Sequence, residues 1–483
     1  MLDASIPPPI KMGGLLGGSY MKNDLDALLR PRSVAVLGAS AHPEKMGHIV
    51  LKNLSKGRFL LYPVNPKEKE ILGLRCYHSI SDVPGEVDLA ILALPALASE
   101  KGVRECALKG VRVVIVTSSG FRETGPEGTA LEGRLMEAIE GTRTRMLGPN
   151  TMGVFVPSIG LDSLLIPIER SRRPKKGSIA MVSQSGAVSV AFMEKAEAAG
   201  IGISACVGLG NKSDIRENEL LDYLSNDGST KCIALYLESF SDGKGFLDMA
   251  RNVTKTKPIV VLKSGRTSTG ETAARSHTGA LSSSDPVVDG VLRQAGVVRA
   301  YDEEELLDVA KALTLVDHVQ GNRVCVVASA GGFGVIAADY VESKDHGAGL
   351  SMARLSRKTA DELKSIAPGF SSVRNPVDLT SGVTDEMYDS VLGVLMDDPG
   401  VDCIMMSLEM QPPHITRKLI DVAERRGGSG KTPLVVSAFA GARTNAILKE
   451  LAKRKIPAYP SIWRAIRAIR ALSDRGRYLR QVE

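Results

Sequence analysis

The sequence predicts an α/β fold in which mostly parallel sheets are covered by helices and the chain forms three successive units. From about residue 33 to the end, short apolar runs that finish in Gly, Pro or Ser alternate with helical patterns, as in parallel sheets with crossover helices. The 48 glycines and the 4% aromatic content are typical of α/β layers packed with Val, Ile, Leu and Ala. At roughly 150 residues per domain, the 483 residues correspond to about three domains.

The first unit is predicted from four strand-like runs, and we place it at residues 23–155. These runs are SVAVLGAS (33–40), FLLYPVNP (59–66), VDLAILALP (87–95) and VRVVIVTSSG (111–120). The segment RMLGPNTMGVF (145–155) closes the unit, and we interpret the basic stretch at 170–177 as a solvated linker. Ligands of parallel sheets bind beyond the carboxyl ends of the strands, which is where small and polar residues cluster here.

The second and third units are predicted to be copies of one α/β domain, at residues 156–320 and 321–483. The pattern of SIAMVSQSGAVSVAFMEKAEAAGIGIS (178–204) returns in RVCVVASAGGFGVIAADYVESKDHGAGLS (323–351). CIALYLESF (232–240) matches CIMMSLEM (403–410), and PIVVLKSGRT (258–267) matches PLVVSAFAGART (433–444). After this last match the copies differ, because only the first carries the loop AARSHTGALSSSD (273–285), whereas the second continues into an ordinary helix.

Composition narrows the possible partners and the compartment. A net charge of +6 over this length is mild, so it favours anionic small molecules and does not indicate nucleic acid. The sequence contains no run of 18 apolar residues, so it predicts no membrane-spanning helix. We expect residues 1–22 to form a disordered tail without a signal peptide. The six cysteines form no CxxC pair, and Cys232, Cys325 and Cys403 lie in strand-like runs. We therefore predict a cytoplasmic protein without a metal site on this chain.

Two Gly/Ser-rich turns are candidate phosphate sites. In both copies a strand runs into such a turn, VSQSGAVSV or ASAGGFGVI, which opens a helix. A helix start offers unpaired backbone N–H groups and a partial positive charge, and small residues let an anion approach them. The alternative is that these turns are only a packing solution. The candidate residues are Ser183, Ser185 and Gly186 in the first copy, and Gly331, Gly332 and Gly334 in the second.

His277 is the candidate catalytic residue of the loop at 273–285. A neutral imidazole is a competent nucleophile toward phosphorus, and the small neighbours of His277 leave room for a phosphoryl group. Its second ring nitrogen needs an acceptor, for which Glu238 at the end of a predicted strand is the candidate. The alternative is an exposed loop histidine without a chemical role.

Five motifs in one order resemble the α subunit of ADP-forming acyl-CoA synthetases, which are related to succinyl-CoA synthetase. They are RSHTGAL, VSQSGA, GLGNKSDI, ALYLES and LKSGRT, and the resemblance extends from about residue 23 to the end. It implies a Rossmann-like CoA-binding domain followed by two flavodoxin-like domains of the succinyl-CoA synthetase type. It also implies that His277 is phosphorylated during turnover, that Glu238 orients it and that the Ser/Gly helix starts hold the phosphate.

The resemblance places a CoA groove on the first unit. A dinucleotide site is less favoured there, because VLGASAHPEKMG lacks the GxGxxG spacing. The residues implied for CoA are Gly38, Ala39, Ser40, Lys45, Val64, Asn65, Pro66, Leu94, Pro95, Ser118, Ser119, Gly120 and Asn150.

The implied reaction converts acyl-CoA, ADP and phosphate to acid, ATP and CoA through an acyl phosphate and a phosphohistidine. All three units of the chain are already assigned, and none resembles the ATP-grasp module of the family. The resemblance therefore implies a β subunit with an ATP-grasp domain that binds ADP or ATP with Mg²⁺, in an α2β2 assembly. The substrates are small acids and CoA thioesters, and the sequence leaves open acetate, branched and aryl acids. Two alternatives remain: a CoA-sensing binding protein on the same scaffold, and a nicotinamide-dependent oxidoreductase.

Overall fold

A computed structural model describes residues 24–272, 284–343, 349–369, 371–430 and 432–482. In these ranges the strands form three large sheets of five, seven and six strands, covered by helices, so the predicted α/β class is confirmed. The predicted tail at 1–22 lies outside the described residues. Of the helices in the described ranges, none combines the length and the apolarity that a membrane crossing needs.

The first sheet is parallel and has the strand order β2-β1-β5-β6-β7. Its strands form because short runs of Val, Ile, Leu and Ala are buried on both faces, as in β5 and β6. The elements of this domain are α1 (Asp24–Leu29), β1 (Ser33–Leu37), α2 (Met46–Leu54), β2 (Leu60–Val64), β3 (Glu70–Ile71), β4 (Leu74–Arg75), β5 (Leu89–Leu92), α3 (Ala96–Lys109), β6 (Val113–Val116), α4 (Pro126–Ile139) and β7 (Arg145–Leu147).

The second sheet has the order β14-β13-β12-β10-β11-β8-β9 and is parallel except for β8 and β9. Its elements are β8 (Val154–Val156), β9 (Leu161–Asp162), β10 (Lys176–Ser183), α5 (Gly186–Ala198), β11 (Ile203–Gly208), α6 (Glu217–Asn226), β12 (Cys232–Leu237), α7 (Gly243–Val253), β13 (Ile259–Lys263), α8 (Asp285–Gln294), β14 (Val298–Ala300) and α9 (Glu303–Leu315). Strand β8 pairs antiparallel with β11, so residues 154–156 belong to this sheet. The expected limit at 155 assigned most of that strand to the first unit.

The third sheet has the order β16-β15-β18-β19-β20, with β17 beside β15. Its elements are β15 (Arg323–Ala328), α10 (Gly331–Glu342), β16 (Ser351–Met352), α11 (Arg357–Ile366), β17 (Val377–Asp378), α12 (Asp385–Met396), β18 (Cys403–Glu409), α13 (Lys418–Gly427), β19 (Leu434–Phe439), α14 (Thr444–Lys453), β20 (Ala458–Tyr459) and α15 (Ile462–Val482). The strand pairing shows the predicted repeat. The strand β10, which leads into α5, pairs with β12, and the strand β15, which leads into α10, pairs with β18 in the same way.

The three domains pack against one another through shared cores. One apolar cluster joins Val36 of the first domain to Val182 of the second, and another joins Phe192 of the second to Ile466 of the third. The segment at 170–177 is not a solvated linker throughout. The side chain of Arg173 is only 6% exposed and pairs with Asp162 at 2.9 Å, because that acid is buried too and needs a cation.

All six cysteines are buried and free, and Cys232, Cys325 and Cys403 lie in the strands β12, β15 and β18, as their apolar runs predicted. Burial raises the pKa of Cys232 to about 12, so its thiol is protonated at neutral pH.

Candidate active site

The carboxyl ends of β1, β2 and β5 meet at one edge of the first sheet. After β1 the chain turns at Gly38 with φ +82°, and a Cβ there would lie 2.5 Å from the carbonyl oxygen of Ala93. The Gly38 N–H donates to the carbonyl of Val64 at 3.1 Å, and the Asn65 side-chain amide donates to the carbonyl of Ala39 at 2.7 Å. Only glycine fits this turn, since both the φ and the close approach exclude a side chain.

The start of α2 packs on the same turn. A Cβ at Gly47 would lie 1.9 Å from the carbonyl oxygen of Gly38, so the first helical turn closely approaches the end of β1. The N-cap residue Lys45 is exposed and makes no side-chain cap. The uncapped amides of α2, next to an exposed ammonium group, suit the phosphates of an anionic ligand.

The far side of this edge follows β5, β6 and β7. The hydroxyl oxygens of Ser99 and Ser118 are 3.2 Å apart, and the Asn150 N–H donates to the carbonyl of Ser118 at 2.9 Å. The structure thus brings all thirteen residues implied for CoA to the carboxyl ends of adjacent strands, although their contact with CoA stays a prediction. Among them Lys45, Pro66, Pro95 and Ser119 are exposed.

In the second domain, β10 ends in the predicted small-residue turn. The Ser183 hydroxyl donates to the carbonyl of Ser185 at 2.7 Å, and Ser185 is the N-cap of α5, accepting the N–H of Val188 at 3.4 Å. A Cβ at Gly186 would lie 2.2 Å from Cγ of Met152. Close packing therefore explains Gly186 by itself, as the alternative prediction allowed.

The turn before α10 differs from its counterpart at Gly332. The N-cap Ala330 has no side-chain cap, and a Cβ at Gly331 would lie 2.7 Å from the Asp378 carboxylate. A Cβ at Gly334 would likewise lie 3.0 Å from the Cβ of Pro376. At Gly332, by contrast, no atom of the described residues would lie within 4 Å of a Cβ, and the residue is exposed. Packing against the described residues gives no reason for Gly332, whereas the approach of an anion does.

Glu238 lies beside the turn at 183–186. It directly follows β12, is 7% exposed, and its N–H donates to Oε1 of Gln184 at 2.9 Å. The same oxygen accepts the N–H of Ser239 at 3.3 Å. Strand pairing and Gln184 thus bring the predicted acid and the predicted phosphate turn together. His277 lies outside the described residues.

Two buried lysines lie near Glu238, and both stand in motifs that the sequence analysis quoted without assigning them a role. Nζ of Lys212 is 2.8 Å from the carbonyl oxygen of Ser239 and 3.1 Å from the carboxylate of Glu217. Burial lowers the pKa of Lys212, while the charges of Glu217 and Glu238 oppose that shift. Burial likewise lowers the pKa of Lys263, the last residue of β13, which also feels the charge of Glu238.

The third domain carries the counterpart of this acid at Glu409, which the sequence analysis did not single out. Its carboxylate accepts hydrogen bonds from the Ser329 N–H at 3.1 Å and from the hydroxyls of Ser329 and Ser407. The Tyr388 hydroxyl lies 3.4 Å from it. Burial raises the pKa of Glu409, although these hydrogen bonds act in the opposite direction.

Comparison with protein families divides the chain in the predicted order. A family model for a CoA binding domain matches residues 32–157. A model for a succinyl-CoA ligase like flavodoxin domain matches residues 176–313, and one for a Ligase-CoA domain matches residues 324–481. These three matches correspond to the three large sheets, except that the first match extends over β8, which pairs in the second sheet.

Whole-chain relatives agree with this division. The chain is 38% identical to the acetate–CoA ligase [ADP-forming] I subunit alpha of Pyrococcus furiosus, covering 93% of this chain and 97% of that protein. It is 35% identical to acetate–CoA ligase [ADP-forming] I of Archaeoglobus fulgidus, covering 94% of this chain but 64% of that longer protein.

A solved structure gives the same result. The acetyl-coenzyme A synthetase 1 of Ca. Korarchaeum cryptofilum, in complex with phosphate and ADP, superposes with a TM-score of 0.86 at 33% identity. The match covers 95% of this chain and 99% of that one. The chain therefore belongs to the family of ADP-forming acetate–CoA ligases, and within these acid–thiol ligases it corresponds to the α subunit.

Proposed function

We propose that this subunit transfers a phosphoryl group from an acyl phosphate to His277, as the middle part of the conversion of acyl-CoA, ADP and phosphate to acid, ATP and CoA. The observation that carries the proposal is the position of Glu238. It is a buried carboxylate at the end of β12, fixed against the turn that opens α5 and next to two buried lysines.

The first step joins phosphate to the acyl group. A phosphate oxygen attacks the thioester carbonyl, the C–S bond breaks, and CoA leaves as a thiolate that takes up a proton. The edge of the first sheet fits CoA, since small residues after β1 allow close approach and the exposed Lys45 at the uncapped start of α2 suits phosphate groups.

The second step makes the phosphohistidine. A ring nitrogen of His277 attacks phosphorus, the P–O bond to the acyl group breaks, and the acid leaves as a carboxylate. Glu238 accepts a hydrogen bond from the other ring nitrogen, which fixes the tautomer and stabilises the positive charge that develops on the ring. The helix starts at Ser185–Gly186 and at Gly332 hold the oxygens of the transferred group.

The third step returns the phosphoryl group to a nucleotide: a β-phosphate oxygen of ADP attacks phosphorus and the P–N bond breaks. We place this step on a partner β subunit of the ATP-grasp type in an α2β2 assembly, with Mg²⁺ bound there to offset phosphate charge. Two facts support a partner: a relative is named a subunit, and the longer relative is covered only to 64%, which leaves about a third of its length outside the match.

The test is to incubate the full chain, alone and with the protein that co-purifies with it, with acetyl-CoA and radiolabelled phosphate. Acetate is the first acid to test because the relatives are named acetate–CoA ligases. We expect acid-labile, base-stable label on the wild type and none on His277→Ala. Label that survives in His277→Ala rejects the proposal, and CoA binding without any label under both conditions favours a CoA sensor instead.

A further inference from the structure

The segment Gly210–Asp214, in the motif GLGNKSDI, lies at the boundary between the first and second domains. It follows β11 and rests against the loop after β7: the Asn211 N–H donates to the carbonyl of Pro149 at 2.9 Å, and the Ser213 N–H donates to that of Gly148 at 3.1 Å. Lys212 has φ +57°, an uncommon left-handed conformation for a lysine. The side chains of two consecutive residues, Asn211 and Lys212, contact different domains.

Lys212 holds the loop that carries Glu238. Its ammonium group donates to the carbonyl of Ser239 at 2.8 Å and pairs at 3.1 Å with Glu217, which is fully buried. Glu217 in turn accepts the N–H of Ser241 at 2.6 Å. Lys212 and Glu217 therefore fix this loop from one side while Gln184 fixes it from the other.

Asn211 holds the loop of the first domain that contains Gly120. Asn211 is 2% exposed, and its side-chain amide donates to Glu123 at 2.8 Å and to Glu132 at 2.9 Å. The other oxygen of Glu123 accepts the N–H of Gly120 at 2.7 Å and that of Phe121 at 3.1 Å. This loop follows β6 at the edge proposed for CoA.

We propose that Asn211 and Lys212 are positioning residues that fix the CoA side and the phosphoryl-transfer side of one reaction centre relative to each other. Lys212 acts through the Glu238 loop, and Asn211 acts through Glu123 on the Gly120 loop. The inference rests on the proposed function. It adds that the two sides are aligned by one segment of five residues.

The main test is Lys212→Met, which removes the charge and keeps most of the side-chain volume. The measured quantities are the rate of chain phosphorylation from acetyl-CoA and phosphate, and its dependence on acetyl-CoA concentration. We expect the rate to fall about 100-fold with the KM for acetyl-CoA nearly unchanged, since misplacing a reacting group costs about that much. Asn211→Ala should show the opposite split, with a KM raised about 10-fold and a smaller loss of rate.

The matched control is Lys311→Met. Lys311 is also a buried lysine, with its ammonium group 2.7 Å from the carbonyl of Ala458 and 3.7 Å from Asp308, and neither contact involves Glu238 or its loop. We expect Lys311→Met to lower the melting temperature without changing the phosphorylation rate of the folded protein. If Lys212→Met does not fold, Glu217→Gln serves in its place, because it removes the charge that pairs with Lys212.

A double-mutant cycle separates positioning from general destabilisation. In a Glu238→Gln background, Lys212→Met should lower the rate little further, because its effect acts through Glu238. An equal loss in both backgrounds, or phosphorylation of Lys212→Met at the wild-type rate, overturns the inference. A wild type that takes up no label, even with the co-purified subunit, removes the proposed function and this inference with it.

Discussion

The second and third domains carry an acid at the same position, and the two acids have different surroundings. Glu238 follows β12 and Glu409 ends β18, each beside the strand that leads into the small-residue turn. In the third domain Ser329 donates directly to the carboxylate of Glu409. In the second domain the side-chain oxygen of Gln184 accepts the backbone N–H groups of Glu238 and Ser239.

One residue accounts for much of this difference. Gln184 and Ser329 each come immediately before the N-cap of the following helix. The longer Gln184 side chain reaches the neighbouring backbone, whereas the short hydroxyl of Ser329 ends at the carboxylate. We infer that duplication kept the scaffold while Glu409 became a structural acid and Glu238 a chemical one.

The largest expected effect is that of removing the charge of each acid. Glu238→Gln should lower the rate of chain phosphorylation by about 100-fold or more, because an imidazole whose orienting carboxylate is removed is a poor catalyst. Glu409→Gln should leave that rate close to the wild-type value. The measurement is incorporation of labelled phosphate from acetyl-CoA and phosphate, and equal losses in the two variants would contradict the division of roles.

Gly332→Ala tests whether the third domain still contributes its helix start. Alanine should stabilise the helix by roughly 0.5–1 kcal/mol, and it should raise the phosphate concentration for half-maximal labelling about 10-fold, the equivalent of roughly 1.4 kcal/mol. Gly133→Ala is the matched control, since Gly133 lies inside α4 with no described atom within 4 Å of its Cβ position. If both variants change stability alone, Gly332 does not bind phosphate.

A smaller effect is expected on stability alone, because the protonation of Glu409 makes the free energy of unfolding depend on pH. Because its pKa is raised in the folded protein, the protonated acid favours folding, and that contribution is lost as pH rises through the raised pKa. The unfolding free energy of Glu409→Gln, relative to the wild type, should therefore increase from pH 4.5 to pH 8. A denaturation series across this range measures it, and a difference independent of pH would contradict the effect of burial.

The smallest effect is expected from exchanging the two N-caps. Ala330→Ser supplies the hydroxyl that Ser185 supplies in the other copy and should add about 0.5–1 kcal/mol to the free energy of unfolding. Ser185→Ala should remove a similar amount. Chemical denaturation measures both changes, and a loss of stability in Ala330→Ser would show that the two helix starts are not equivalent.

Local sequence patterns predicted the fold, but they did not predict the contacts that surround Glu238. Apolar runs predicted the positions of the strands and placed Glu238 at the end of one of them. Both predictions depend only on residues that are neighbours in the sequence. The contact of Lys212 with Ser239 joins residues 27 positions apart, and that of Asn211 with Glu123 joins residues 88 positions apart, so no local pattern pairs them. The sequence analysis placed Arg173 in a solvated basic run, since the pairing of Arg173 with Asp162 is seen only in the folded structure.

The most direct test is to locate the phosphoryl group after reaction with acetyl-CoA and phosphate. Trypsin releases a peptide from Ser276 to Arg293 in which His277 is the single histidine. Mass spectrometry should find an acid-labile phosphoryl group on His277 in the wild type, and far less of it in Glu238→Gln at equal times. A phosphoryl group on any other residue, or one that resists acid, would contradict the proposed transfer.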